Sequence, residues 1–256
     1  MEVHHHSHKP KKWKEYISEF FMLFMAVFAG FLAESYLDYR TERHKEHDYL
    51  TSLVSDLKID TTDIGFKVVN MGDVINDGRD LSEYVYQENW MNKYADSIYI
   101  LTERMHSTET TLQYADGTIN QLKNAGGFRL IKSYEITEKI KEYTKGQDRI
   151  KDHEQAVNSR FAELINERSD LIYNKVYTYK GTLLVGKLEI GLNKKRLDSI
   201  YKKTGSKFLS NNQTDFVKFS NSTITLVGSM YVYREMARLQ KIKAIELIKL
   251  IQKDIE

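Results

Sequence analysis

The chain has no cysteine and a single proline, Pro10, in its 256 residues. Without thiols it has no cysteine nucleophile, no disulfide framework and no thiolate metal site. Beyond position 10 no proline removes a backbone donor, so long helices meet no obligatory break. An excess of one charge is missing as well. The 38 Lys and Arg face 36 Asp and Glu, a net of +2, so no basic field marks nucleic acid as a partner. Catalytic signatures are absent: there is no GxSxG elbow, no Walker loop and no dinucleotide fingerprint. Gly126-Gly127 before Phe128-Arg129 reads as a helix cap and not as a phosphate cradle. The expectation is a protein that is not an enzyme and needs no cofactor.

What the chain does have is one long apolar run. Phe20 to Ala33, FFMLFMAVFAGFLA, lies between Glu19 and Glu34. Fourteen residues are too few to cross about 30 Å of hydrocarbon, which takes roughly 20 in a helix. The flanks supply the rest. Tyr16 to Leu37 is 22 residues, about 33 Å of helix at ~1.5 Å per residue. Its only ionisable groups are Glu19 and Glu34, in the end turns where a carboxylate reaches headgroups or takes up a proton. Trp13 and Tyr16 bracket one end and Tyr36 and Tyr39 the other, as an interfacial aromatic belt does. The competing readings are a central helix of a soluble bundle and a cleaved signal peptide. No small-x-small cleavage site follows the run, and the helical pattern continues straight out of it. The expectation is a single-pass helix over 16–37, with residues 1–15 a basic, His-rich tail and 38–256 one helical domain.

Orientation follows the cations nearest the span. Lys9, Lys11, Lys12 and Lys14 precede it; Arg40, Arg43 and Lys45 follow it. The expectation is a cytoplasmic N-terminus and, in a bacterial inner membrane, a periplasmic domain.

The domain reads as all-α. Leu50, Leu53, Leu57, Ile64, Val68, Met71 and Ile75 recur at helical spacing, predicting a helix that leaves the membrane as a stiff stalk. Gly78 in Asn76-Asp77-Gly78 marks the place for a bend. Further helices are predicted over 93–105, over 110–124 up to a glycine cap at Gly126-Gly127, and from Ser133 to Tyr177. Residues 178–193, TYKGTLLVGKLEIGLN, break the pattern and read as a loop with room for a short β-hairpin. A last helix starts near Asn212, with Asp215 three residues on as in a capping arrangement. It ends with Ile242, Ile245, Ile248, Ile251 and Ile255 between lysines and glutamates. The sum is a membrane-tethered antiparallel bundle of long helices.

Three constellations carry chemistry. His4, His5, His6 and His8 put four imidazoles within five residues, a donor set suited to Zn, Ni or Cu, although a short tail lacks the supporting shell that makes a site selective. His44 and His47 stand one helical turn apart beside Asp48, in a spacing that fits neither HExxH nor its inverse. In the apolar run, Ala26 and Gly30, and Ala29 and Ala33, are four apart. That small-xxx-small pattern lets helix backbones approach and favours self-association. In an oligomer Glu19 and Glu34 would form carboxylate rings at the two mouths, though no polar side chain lies between them.

The stretches MEVHHHSH, KKWKEY, FFMLFMAVFAGFLAES and YLTSLVSDLKID resemble an uncharacterised group of single-pass membrane proteins from Bacteroidota. TINQLKNAGGFRLIKSYEITEKIKEY is similar to a segment that recurs in related domains of unknown function. The resemblance implies native histidines and a bacterial inner-membrane anchor, and it brings no activity. Functionally the sequence leads to an anchored scaffold, sensor or partner-binding component of an envelope complex, whose partners are the lipid bilayer and an envelope protein. The alternatives are a homo-oligomeric, channel-like assembly built on the N-terminal helix, and metal handling through the histidine cluster.

Overall fold

The structure, a computed structural model, describes residues 12–124, 126–172, 208–210 and 212–255. All regular elements among them are helical. The segment expected to hold a hairpin, 178–193, and the end of the helix expected to reach Tyr177 lie outside the described residues.

Helix α1 (Trp13–Val85) is 73 residues long, about 110 Å at ~1.5 Å per residue. The apolar run and the domain's first apolar stripe are therefore parts of one rod. The helix passes Asn76-Asp77-Gly78 without a break. Glycine is needed there for a different reason. A Cβ on Gly78 would lie 2.5 Å from Val227 Cγ2 and 3.1 Å from Met105 Cε, so its absence lets two neighbouring helices approach.

A short helix α2 (Trp90–Lys93) and helix α3 (Ala95–Ser107) turn the chain back. Asn89, with φ of 54°, makes the reversal in the left-handed region. Residues 108–116 then run without helix before α4 (Gly117–Asn124), so the helix expected over 110–124 forms only in its second half. Gly126, at φ 63°, takes the expected left-handed cap, and a 3-10 turn follows over Gly127–Leu130. Helix α5 (Tyr134–Leu171) starts where Ser133 Oγ accepts the Ile136 N–H at 3.3 Å. Helix α6 (Gln213–Ile255) starts after Asn212, whose side chain accepts the Thr214 N–H at 3.0 Å.

Contacts along the rod fix the topology. Segment 95–124 descends beside α1, as Arg104 pairs with Asp77 and the Thr118 N–H meets Asp56. Helix α5 ascends, with the Lys132 N–H on Glu46 and Tyr143 on Asp60. Helix α6 descends again, with Gln213 at Val85 and Lys241 beside Gly65. The result is an up-down-up-down bundle whose second arm is interrupted by an extended strap.

The core forms two apolar clusters. Leu50, Leu53, Leu57, Ile136, Ile140, Leu247 and Ile251 fill the end nearest the apolar run. Ile64, Met71, Leu81, Ile98, Leu164, Phe216 and Tyr233 fill the far end, where Trp90 packs on Phe216 with ring centroids 4.6 Å apart. The predicted stripe on α1 is buried except Val68, which is half-buried. The isoleucine ladder of α6 departs from expectation. Ala244, Leu247 and Ile251 face the core while Ile242 and Ile245 are exposed.

Candidate membrane anchor and polar groove

One helix among the described residues is long and apolar enough to cross a membrane, and none of its apolar window is buried. Phe20, Phe21, Met22, Leu23, Phe24, Met25, Val27, Phe28, Phe31 and Leu32 all project into open space. A bundle helix of a water-soluble protein would bury such a face. Side-chain packing within the run is local: the rings of Phe24 and Phe28 stack at 5.9 Å and Phe20 lies 6.3 Å from Phe24. Trp13, Tyr16, Tyr36 and Tyr39 are exposed at its two borders. Ala26, Ala29, Gly30 and Ala33 occupy a bare side of the same helix, and a Cβ on Gly30 would meet nothing within 4 Å. Glu34 is exposed and Glu19 is half-buried, fifteen residues apart on the rod.

The bundle begins at once above this run. Lys132, just after the 3-10 turn, places its Nζ 4.0 Å from the centre of the Tyr39 ring, close enough for a cation–π contact. Its backbone N–H donates to Glu46 Oε1 at 2.7 Å, and Arg43 pairs with the other oxygen of that buried carboxylate. Two residues after Leu37 the chain is thus already in contact with the folded domain. The expected stalk over 38–48 is helical, but it is not a free spacer.

The histidine expectations divide. His4, His5, His6 and His8 lie outside the described residues. His44 and His47 both lean toward Asp48, at 3.7 and 3.9 Å, and all three remain largely exposed. Among the described residues no group of three or more His, Asp or Glu side chains is arranged to hold a metal.

A polar groove that the sequence gave no sign of lies on the flank of the bundle. The strap cannot satisfy its backbone internally, and α1 does so for it. Asp63, Asp60 and Asp56 stand at intervals of three and four on one side of α1. Asp63 accepts the Gln113 N–H at 3.4 Å, Asp60 the Ala115 N–H at 2.7 Å, and Asp56 the Thr118 N–H at 3.0 Å. Higher up, Lys67 pairs with Glu109 at 2.7 Å and the Asn70 amide donates to the Glu109 carbonyl. Asp60 is buried and also accepts the Tyr143 hydroxyl at 2.6 Å. Burial raises its pKa, against the lowering effect of those two hydrogen bonds. Gln240 from α6 donates to the Tyr143 carbonyl at 2.8 Å, and Tyr233 donates to Glu154 at 2.7 Å. Burial first, and then neighbouring carboxylates, push the Tyr114, Tyr143 and Tyr233 phenols well above their ordinary range. These phenols stay protonated, and those of Tyr143 and Tyr233 serve as donors.

Between strap, α4 and α5 this network borders a cavity of about 360 Å³. Tyr114, Asp116, Lys123, Gln147, Asp148, Lys151 and Glu154 line it, bringing charges of both signs. The Tyr114 hydroxyl and the Gln147 amide nitrogen are buried without a hydrogen-bond partner. The lining offers hydrogen-bond donors and acceptors and charges of both signs. On the far side of the bundle, Arg168 approaches Glu103 at 3.4 Å. Partial burial, then the Arg168 guanidinium, push the His106 pKa down to about 4, so this imidazole is neutral near pH 7.

Compared with known proteins, the chain matches no family model, no curated protein and no solved structure.

Proposed function

We propose that this chain is a membrane-anchored, non-enzymatic helical protein that holds a rigid bundle against one face of a bilayer and serves there as a scaffold or partner-binding component of an envelope complex. The observation that carries the reading is a wholly exposed apolar run on a helix that continues without a break into the buried core. Water penalises such a face at about 25 cal/mol per Å² of apolar surface, whereas hydrocarbon does not. The Tyr16–Leu37 span, its aromatic borders and the Lys132–Tyr39 contact are consistent with a domain seated at the headgroup layer. The cation count around the span favours an N-terminus inside and, in a Gram-negative cell, a periplasmic domain. A scaffold reading suits a chain of balanced charge and a groove rich in hydrogen-bonding groups.

Alkaline carbonate washing of cell membranes tests the anchor. The full chain stays in the pellet if the run spans the bilayer, and its release into the wash sinks the reading. Labelling Ser159→Cys in intact spheroplasts with an impermeant maleimide tests orientation, because the chain has no other thiol. Labelling without lysis is expected; labelling only after lysis reverses the topology. Solubilised protein that brings down no partner from its own membranes and runs strictly as a monomer counts against a scaffold.

A further inference from the structure

We propose that the partner is a second copy of this chain, docked in parallel on the outer face that α1 and α6 share, with the bare side of the membrane helix in the same interface. The proposal rests on the anchored reading above. It starts from exposed apolar side chains in the folded domain. Phe66 and Val69 on α1 are 62% and 63% exposed, and Tyr231 and Ile242 on α6 are 52% and 51% exposed.

Helical geometry places these four on one side. Residues two apart in a helix point about 200° from each other. Phe66 is two from buried Ile64, Ile242 two from buried Gln240, and Tyr231 two from buried Tyr233. Each therefore points away from the core. The two helices lie side by side and antiparallel, Gly65 beside Lys241 and Gly72 beside Arg234. Their outward surfaces form a single two-helix face.

That face continues into the membrane. Gly30 and Phe66 are separated by 36 residues, as are Ala26 and Thr62, and Ala33 and Val69. At ~3.6 residues per turn 36 residues make about ten whole turns, and α1 is unbroken over all of them. The small residues of the span and the apolar ridge of the domain thus share one side of one rod. A second copy is the occupant that meets both parts at once. A two-fold axis parallel to the rods sets small residues against small residues and Phe66 against its own equivalent.

The area of the face bears on the contact. Charges of both signs lie on it, Lys58 and Asp73 on α1 and Glu235 and Arg238 on α6, the last two paired with each other at 3.1 Å. Six exposed side chains (the four above with Ile59 and Ile224) at about 100 Å² each give about 600 Å² per copy. A standard interface takes about 800 Å² per partner, and close packing of the small residues of the membrane helix adds to the contact.

The thiol-free chain makes the test direct. Full-length Phe66→Cys, Ile242→Cys and Ser159→Cys proteins are treated in their own membranes with a short bismaleimide. Ser159 is exposed on α5, away from the proposed face. The proposal expects about tenfold more covalent dimer from Phe66→Cys than from Ser159→Cys, and a marked loss when Gly30→Leu is added. A Cβ at position 30 would meet nothing within 4 Å in the monomer, and the neighbouring side chains of the run are exposed, so the bundle core is not at stake. Equal yields at Phe66→Cys and Ser159→Cys, or a Phe66→Cys yield indifferent to Gly30→Leu, overturn the dimer. Carbonate washing of the same membranes reads the anchor separately. A retained protein without selective cross-linking removes the dimer alone, and a released protein removes the anchor.

Discussion

Asp60 is a buried polar tie between separate segments of the bundle. It is 1% exposed and accepts one bond from the strap and one from α5, tying three arms of the bundle at one point. Asp60→Ala leaves the Ala115 N–H and the Tyr143 hydroxyl without an acceptor, at about 1–3 kcal/mol each. A urea titration is expected to show the midpoint lowered accordingly. Asp60→Asn keeps an acceptor and is expected to cost less. The same residue makes a pH prediction. Folding raises its pKa above 3.8 because the side chain is buried, so the native chain holds that proton more tightly than the unfolded one. Its contribution is complete below the ordinary value and is lost as pH rises through the elevated one. Stability measured from about pH 4 upward should therefore decline less steeply in Asp60→Asn than in the parent. Gly78 gives a second contrast. Alanine there gains up to about 1 kcal/mol of helix propensity but meets Val227 and Met105, and overpacking costs about 1–3 kcal/mol. Gly78→Ala is expected to lower the melting temperature, whereas Gly30→Ala, where an added Cβ meets nothing within 4 Å, should not lower it.

Among the elements, the strap shows what local sequence can and cannot disclose. Helix α1's stripe, the Gly126 cap, the Ser133 start and the Asn212 start were legible because their determinants lie within a few residues of each other. The strap was not. Its backbone partners, Asp56, Asp60 and Asp63, are 50 or more residues away in the chain, and in sequence they look like ordinary solvated carboxylates. The groove escaped notice for the same reason, being assembled from single polar residues on three segments. The outer face of α6 was misread in the opposite direction. Isoleucines every third residue resemble core, but 3.6-residue periodicity lets only part of that series point inward. The strap also yields a dynamic expectation. With Asp56→Ala and Asp63→Ala combined, amide exchange should accelerate over residues 110–118 while α5 and α6 keep their protection, because only the strap and the first turn of α4 lose acceptors. Uniform acceleration across the bundle would show that the strap and the helices open as one unit.

For the whole molecule, the exposed apolar helix was the most legible feature, since its length and hydropathy sit in one contiguous segment. A charge placed at the middle of that segment tests it energetically. Phe24→Asp carries a carboxylate to mid-span at about 2.5–3.5 kcal/mol on an insertion scale. Membrane retention should fall sharply, whereas Phe24→Leu should leave it intact. Retention of both variants would mean that the run does not lie in hydrocarbon.

The unbroken helix has a mechanical consequence. From Tyr39, just past the apolar run, to Val85, at the far end of the bundle, the rod extends about 70 Å. It is helical along that whole length, and Lys132 braces its base. Anchored as proposed, such a rod would act as a lever arm fixed in a fluid sheet. A tilt of about 20°, ordinary for a membrane helix, sweeps the far end sideways by about 25 Å, and any axial turn of the embedded segment turns the whole domain with it. The turn at Asn89 would then report the attitude of a helix buried in lipid to whatever stands 70 Å away.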